Sequence, residues 1–248
     1  MLKFAQLIFL FLFSSVAIAT TIELGAEDAA GPWGDKDGNG AGNEIVKASY
    51  KAAGIDVKLN ILSYAKAKAM TLEGKLAGCF SMAWESGLEG KVIFAKEPLY
   101  TPSAVFFKNI KHPLKAKNLE QISENYVIGT VIDYEYPEAV VALKKRGVKF
   151  EDGYSEEANL KKLSQNRYPT TVAMIDELKS ADLLIQKAGV KGSVDVAFVA
   201  SKQGSFVGFS LNHPDGKLAK AKFDEGYALI KKNGTLEKIL QKWRAKQK

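Results

Sequence analysis

The chain has 248 residues, and 35 Lys and Arg residues against 28 Asp and Glu residues give it a formal net charge of +7. The basic residues are interspersed with acidic ones along predicted helices, and no aromatic-basic motif accompanies them, which disfavours a nucleic-acid partner. The single cysteine, Cys79, excludes an intramolecular disulfide, and His112 and His213 each lie beside a proline and form no metal pair. We therefore expect no nucleic acid, metal or cofactor.

The first nineteen residues have the pattern of a cleavable secretion signal. One cation, Lys3, precedes the apolar run Leu7–Phe13, and Ala17-Ile-Ala19 fits the small-x-small rule for signal peptidase. A membrane anchor is the alternative, but the apolar run is shorter than the roughly 18 residues that span a bilayer. We predict cleavage after residue 19 and a soluble, monomeric periplasmic chain.

Strands and helices alternate in the first part of the mature chain. Residue spacing predicts strands at 22–26, 55–62 and 76–83, with helices at 44–53 and 63–74 between them. This β-α-β-α-β order favours a mostly parallel sheet covered by helices.

A second series of the same kind follows residue 108, and it implies a second lobe. The predicted strands are 126–131, 148–150 and 171–175, and the predicted helices are 137–146, one opening at 155, and 176–188. A strand at 206–211 and two amphipathic helices complete the chain. We predict residues 1–19 as signal, 20–107 as the first lobe, 108–205 as the second, and 206–248 as the return strand and C-terminal helices of the first.

The stretch Gly78–Tyr100 reads as a strand, an outward loop and a second strand that ends in Glu-Pro-Leu-Tyr. It resembles the first ligand-binding loop of the family 3 periplasmic solute-binding proteins, and Asn233–Trp243 is similar to that family's last helix. The resemblance covers essentially the whole mature chain. It implies an α/β fold of class II, in which two lobes, each a mostly parallel sheet flanked by helices, are joined by two hinge strands crossing near residues 108 and 206.

The cleft between the lobes is the predicted ligand site, since open α/β sheets bind ligands at the carboxyl ends of their strands. In the first lobe the resemblance assigns ligand contacts to Trp33, Tyr64, Lys66, Ser81 and Trp84. The alternatives are a core position for Trp33, a packed loop anchor for Trp84, and a solvated helix face for Lys66.

In the second lobe the resemblance assigns ligand contacts to Tyr134 and Asp176. Asp176 matches an aspartate that accepts the ligand's ammonium group in the family, although an aspartate there also caps the following helix. The arginine that grips the ligand's carboxylate in the family falls on Glu89, so that clamp is missing.

The resemblance implies a binding protein rather than an enzyme. Its ligand would be a small polar or aromatic solute, delivered to an inner-membrane ABC permease or a signalling receptor. One alternative is an enzyme of the cyclohexadienyl dehydratase type, with Asp176, Glu85 and Lys66 as candidate acids and bases. Another is a protein-interacting module with a vestigial cleft.

Overall fold

The computed structural model describes residues 21–247, so the predicted secretion signal lies outside the described residues. The first part of the chain alternates strands and helices as its spacing predicts. Its elements are β1 Thr21–Glu27, α1 Ala41–Ala52, β2 Asp56–Leu62, α2 Tyr64–Leu72, β3 Gly78–Met82 and β4 Val92–Phe94.

The second part of the chain repeats this alternation and then returns to the first sheet. Its elements are β5 Ser103–Asn109, β6 Val127–Val131, α3 Glu138–Val141, β7 Lys149–Gly153, α4 Glu156–Ser164, β8 Thr170–Ile175, α5 Ala181–Lys187, β9 Val194–Lys202, β10 Phe206–Ser210, α6 Gly216–Lys232 and α7 Thr235–Lys246. Among the described residues, none of these helices has the length and apolar character needed to cross a bilayer.

The two five-stranded sheets share one plan. The first has the order β2-β1-β3-β10-β4 and the second the order β7-β6-β8-β5-β9. In each sheet the first three strands are parallel, and the fourth runs antiparallel to both of its neighbours. The sheets are therefore mixed, because the strand next to the parallel set in each lobe enters from the other lobe.

The crossing between lobes lies earlier in the chain than the predicted boundary at residue 107. β5 belongs to the second sheet, where Ser103 pairs with Ile175 of β8 and Phe106 with Phe198 of β9. Its run Ala104–Phe107 is buried, as expected of a central strand with both faces covered. That segment is therefore part of the second core and not a connection between the lobes.

The two crossing segments, residues 95–102 and 203–205, are bonded to each other. Leu99 N donates to Ser205 O at 2.8 Å, Ser205 N donates to Tyr100 O at 2.9 Å, and Gln203 N donates to Pro102 O at 3.0 Å. The apolar clusters lie within one lobe or the other, except that Leu178 of the second lobe packs with the main cluster of the first. The hinge is thus a two-stranded ribbon between two lobes with largely separate cores.

Candidate binding cleft between the lobes

A cavity of about 50 Å³ lies between the lobes, at the carboxyl ends of β1, β3, β6 and β8 and against the hinge. The position follows the rule for open α/β sheets, whose ligands bind where strand ends and loops converge. The cavity is lined by Glu27, Ala30, Trp33, Ser81, Ala83, Tyr100, Pro102, Tyr134, Glu135, Met174, Lys179, Gln203, Gly204 and Ser205.

Trp33 and Tyr100 form a stacked aromatic pair on the cavity wall. Their ring centroids are 4.0 Å apart at an interplanar angle of 14°, and Trp33 is buried. The loop that carries Trp33 is held against the start of α1, because Gly42 N donates to Trp33 O at 3.0 Å. Gly40 permits this contact, since a Cβ there would lie 2.1 Å from the same oxygen. The backbone of Trp33 is therefore held in place by the start of α1.

Glu27, the last residue of β1, joins the two lobes through Tyr134. The Tyr134 hydroxyl donates to Glu27 Oε1 at 2.6 Å. Burial raises the pKa of Glu27 to about 7, against the opposing effects of the Tyr134 hydroxyl and the Lys179 charge. Glu27 is thus poised between its neutral and charged forms near neutral pH.

Asp176 makes a second contact between the lobes. Its Oδ2 accepts from Trp33 Nε1 at 2.8 Å, while its Oδ1 accepts from the backbone amides of Leu178 and Lys179 at 2.8 and 3.0 Å. Burial raises the pKa of Asp176 despite these donors and the nearby Lys179 ammonium. Both oxygens therefore already have protein partners, and Asp176 is not among the residues that line the cavity.

A third contact ties α2 to the loop after β6. Tyr64 donates to a Glu135 oxygen, and Lys68 Nζ lies 2.7 Å from Glu135 Oε1 and 2.8 Å from Glu85 Oε1. Burial raises the pKa of Glu135, and the Lys68 charge opposes that rise. Each of the three contacts thus joins an aromatic donor on one lobe to a carboxylate on the other.

Lys179 brings a cation to the second-lobe side of the cavity. Its Nζ lies 2.7 Å from Glu156 Oε2, and both side chains are nearly buried. Burial works against its charge, but the attraction of Glu156 and Asp176 is stronger and raises the pKa of Lys179. The ion pair is anchored further, because Glu156 Oε1 accepts from Met174 N at 2.7 Å.

Polar groups of the hinge complete the cavity. Gln203 Nε2 donates to Trp84 O at 3.1 Å, which leaves Gln203 Oε1 buried without a donor among the described residues. Ser205 Oγ is also buried and has no hydrogen bond of standard geometry to the described residues. Buried polar atoms without a hydrogen bond are uncommon in native structures, so these two are the acceptors that the cavity offers.

Solved structures with this arrangement of lobes are known, although no family model matches the chain and no curated protein matches its sequence. A histidine kinase sensor domain with similarity to periplasmic binding proteins aligns over 90% of this chain and 95% of its own, with 18% identity and a TM-score of 0.76. An ancestral arginine-binding protein bound to arginine covers 90% and 97%, with 19% identity and a TM-score of 0.73.

A third similar structure is an ancestral amino-acid-binding protein, a precursor of cyclohexadienyl dehydratase. It covers 90% of this chain and 95% of its own, with 16% identity and a TM-score of 0.68. This chain has the two-lobed periplasmic-binding-protein fold. The fold class predicted from the family resemblance is confirmed.

Within this fold, several residues assigned from the sequence meet at one place. Trp33, Ser81 and Tyr134 line the cavity. Ser81 has a φ of 68°, a left-handed conformation that is rare for a serine and directs the loop after β3 toward the cleft. Tyr64 contacts Glu135 beside the cavity, and Asp176 lies one contact behind Trp33.

Two assigned residues lie elsewhere. Lys66 is exposed on α2, and the α2 cation at the lobe contact is Lys68, because residues 64 and 68 are four apart and share a helix face. Trp84 is 56% exposed and is not a wall of the cavity, since its backbone carbonyl rather than its ring is held by Gln203.

Sequence reasoning missed Glu27, Glu135, Lys179 and the hinge pair Gln203 and Ser205. Glu27 offered one signal, an acidic residue directly after a buried strand, at the edge where the parallel strands end. The sequence around Lys179 contains no such signal, because its partner Glu156 is 23 residues away in the chain.

Proposed function

We propose that this chain is a periplasmic solute-binding protein that holds a small polar solute between its lobes. The observation that carries the proposal is that both lobes and the hinge supply side chains to one cavity. Among the described residues, Gln203 Oε1 has no donor there and Ser205 Oγ has no hydrogen bond of standard geometry. A solute that donates hydrogen bonds to these atoms would satisfy them when the lobes close.

The predicted secretion signal and the fold support this role. A binding protein in the periplasm passes its closed form to a membrane partner, and the partner of this chain is proposed to be an ABC permease or a signalling receptor. The similar structures include a sensor domain and amino-acid-binding proteins, so the fold is compatible with both partners.

The three contacts between the lobes define how such a protein would work. Each consists of an aromatic donor and a carboxylate, and together they hold the two lobes against each other across the cleft. The free energy of solute binding then has to exceed the cost of rearranging whichever of these contacts the solute disturbs. A solute that fits beside them stabilises the closed form further.

The direct test is mass spectrometry of small molecules released when the purified protein is denatured, followed by thermal unfolding with the identified solutes. At a concentration of 100 Kd a ligand adds about 2.7 kcal/mol, which for a chain of this size raises Tm by roughly 5–10 °C. Trp84→Ala is a control that should keep the shift, since its ring lies outside the cavity.

If no solute is released and no library compound raises Tm, the proposal fails and the vestigial-cleft alternative takes its place. An enzyme is the second candidate, because a carboxyl group with a pKa near 7 suits general acid-base chemistry. Turnover of prephenate or arogenate that is lost in Glu27→Gln would favour the enzyme.

A further inference from the structure

We infer, building on the proposed binding function, that the solute is a small organic ammonium compound without a carboxylate, such as a protonated amine or a methylated ammonium. Three properties of the cavity support this solute, namely its charge, its aromatic lining and its volume.

Of the two acidic residues that line the cavity, Glu27 and Glu135, only Glu135 forms an ion pair within the described residues. Glu135 is paired with Lys68 and Glu156 with Lys179, while Asp176 is occupied by the Trp33 indole and two backbone amides. Among the described residues, Glu27 accepts only from Tyr134, a neutral hydroxyl, and forms no ion pair. A bound cation would supply the charge that this buried carboxylate lacks.

Aromatic rings line the same cavity as this carboxylate. Trp33, Tyr100 and Tyr134 line the cavity together with Glu27. An aromatic ring attracts a cation within about 6 Å of its centroid, and the attraction grows when water is excluded. Rings beside a carboxylate favour an ammonium group with small apolar substituents over a strongly hydrated inorganic ion.

The cavity has no free group that would hold a carboxylate. No arginine of the described residues lines it, and the lining cation, Lys179, is held 2.7 Å from Glu156. An amino acid would thus bring its carboxylate next to the acidic Glu27 without a clamp of its own. This narrows the small polar or aromatic solute that the family resemblance implies to one without a carboxylate.

Volume sets an upper limit on the size of the solute in this closed form. The cavity measures about 50 Å³, well below the roughly 150 Å³ of an engineered cavity that binds benzene. A solute of a few heavy atoms, such as methylammonium, dimethylammonium or ethanolamine, fits this limit. Within residues 21–247 no group of three or more His, Cys, Asp or Glu side chains is placed to hold a metal ion.

Isothermal titration calorimetry of the mature protein at pH 8 tests the inference, with methylammonium, dimethylammonium, ethanolamine, glycine and acetate as ligands. At least one ammonium compound should bind ten or more times tighter than glycine, and acetate should not bind. Glu27→Gln keeps an acceptor for Tyr134 and removes the charge, so it should weaken ammonium binding at least tenfold. Asp28→Asn, which removes the neighbouring charge outside the cavity lining, is the matched control and should change it little.

Thermal unfolding would first establish that the variants fold, and Glu27→Asp, which keeps the charge, should retain part of the affinity if Glu27→Gln is unstable. The inference is overturned if glycine or another amino acid binds as tightly as every ammonium compound, or if folded Glu27→Gln binds as the wild type does. Binding of another solute class would leave the proposed function intact and reject only this inference. No binding of any solute would reject both.

Discussion

The two walls of the cleft are built on sheets of the same order but balance their charges differently. On the second-lobe side Glu156 forms an ion pair with Lys179, and Asp176 accepts three hydrogen bonds from neutral donors. On the first-lobe side Glu27 is buried with only a hydroxyl donor. A shared topology therefore fixes where the cleft lies but not its electrostatics, which depend on single side chains at the strand ends.

Removal of Lys179 from the second-lobe wall should cause the largest loss of stability. Lys179→Met leaves Glu156 buried near Asp176 without its cation, and breaking a buried ion pair in this way costs about 3–5 kcal/mol. Urea unfolding at pH 7 measures the loss. Lys187→Met, at an exposed position on α5, is the control and should change stability by less than about 0.5 kcal/mol. Adding Glu156→Gln to Lys179→Met should recover much of the loss, and no recovery would contradict the pairing.

On the first-lobe wall, Glu27 should make the stability of the protein depend on pH. The folded-state pKa of Glu27 is about 7 against an ordinary value of 4.5, so between these values the folded protein holds a proton that the unfolded chain has released. Stability should fall as pH rises from 4.5 to 7 and level off above, with a contribution of roughly 3 kcal/mol. The ionisable groups facing Glu27 are Tyr134, Lys179, Glu156 and Asp28.

Glu27→Gln isolates this contribution from that of Asp176 and Glu135, whose pKa values are also raised. Denaturant unfolding of both proteins at several pH values should show a shallower decline for the variant. Parallel curves would show that Glu27 does not titrate in this range.

The Trp33–Asp176 contact between the two walls can be weakened without changing the charge of the protein. Trp33→Phe keeps an aromatic ring but removes the indole donor, which leaves Asp176 Oδ2 without its 2.8 Å partner. A loss of about 1–3 kcal/mol is expected, together with a larger radius of gyration in small-angle X-ray scattering as the lobes separate. Trp84→Phe, a matched change at an exposed tryptophan, should alter neither quantity measurably.

The smallest effect is expected at the exposed edge of the interface. Arg244 of α7 lies 2.6 Å from Glu177 of the second lobe, but both side chains are partly exposed to solvent. Arg244→Ala should cost less than about 1 kcal/mol, and the difference should shrink in high salt. A larger, salt-independent loss in thermal unfolding would mean that this pair, rather than the aromatic contacts, holds the lobes together.

Most of the fold could be predicted because it depends on local periodicity. The apolar spacing of α1 and the alternation of β2 are local signals, and the structure has both elements close to their predicted bounds. The start of α5 could not be placed in this way. The helix was predicted from Asp176, but Asp176 organises a turn and Ser180 caps the helix by accepting from Leu183 N.

The cleft was only partly predictable, since its contacts join distant parts of the chain. Trp33, Ser81 and Tyr134 could be assigned because they lie in or after strands whose motifs resemble those of a known family. Glu27 and its partner Tyr134 are 107 residues apart in the chain, and Trp33 and Asp176 are 143 residues apart. Pairs of this kind follow from how the lobes dock, which periodicity does not encode.

The bonding between residues 95–102 and 203–205 has a mechanical consequence. Because three backbone hydrogen bonds couple the two connections, neither can bend alone, and they twist together as one ribbon. Opening would then approximate rotation about a single axis. Under the proposed function, a membrane partner that touches both lobes would detect the spacing between them without touching the solute.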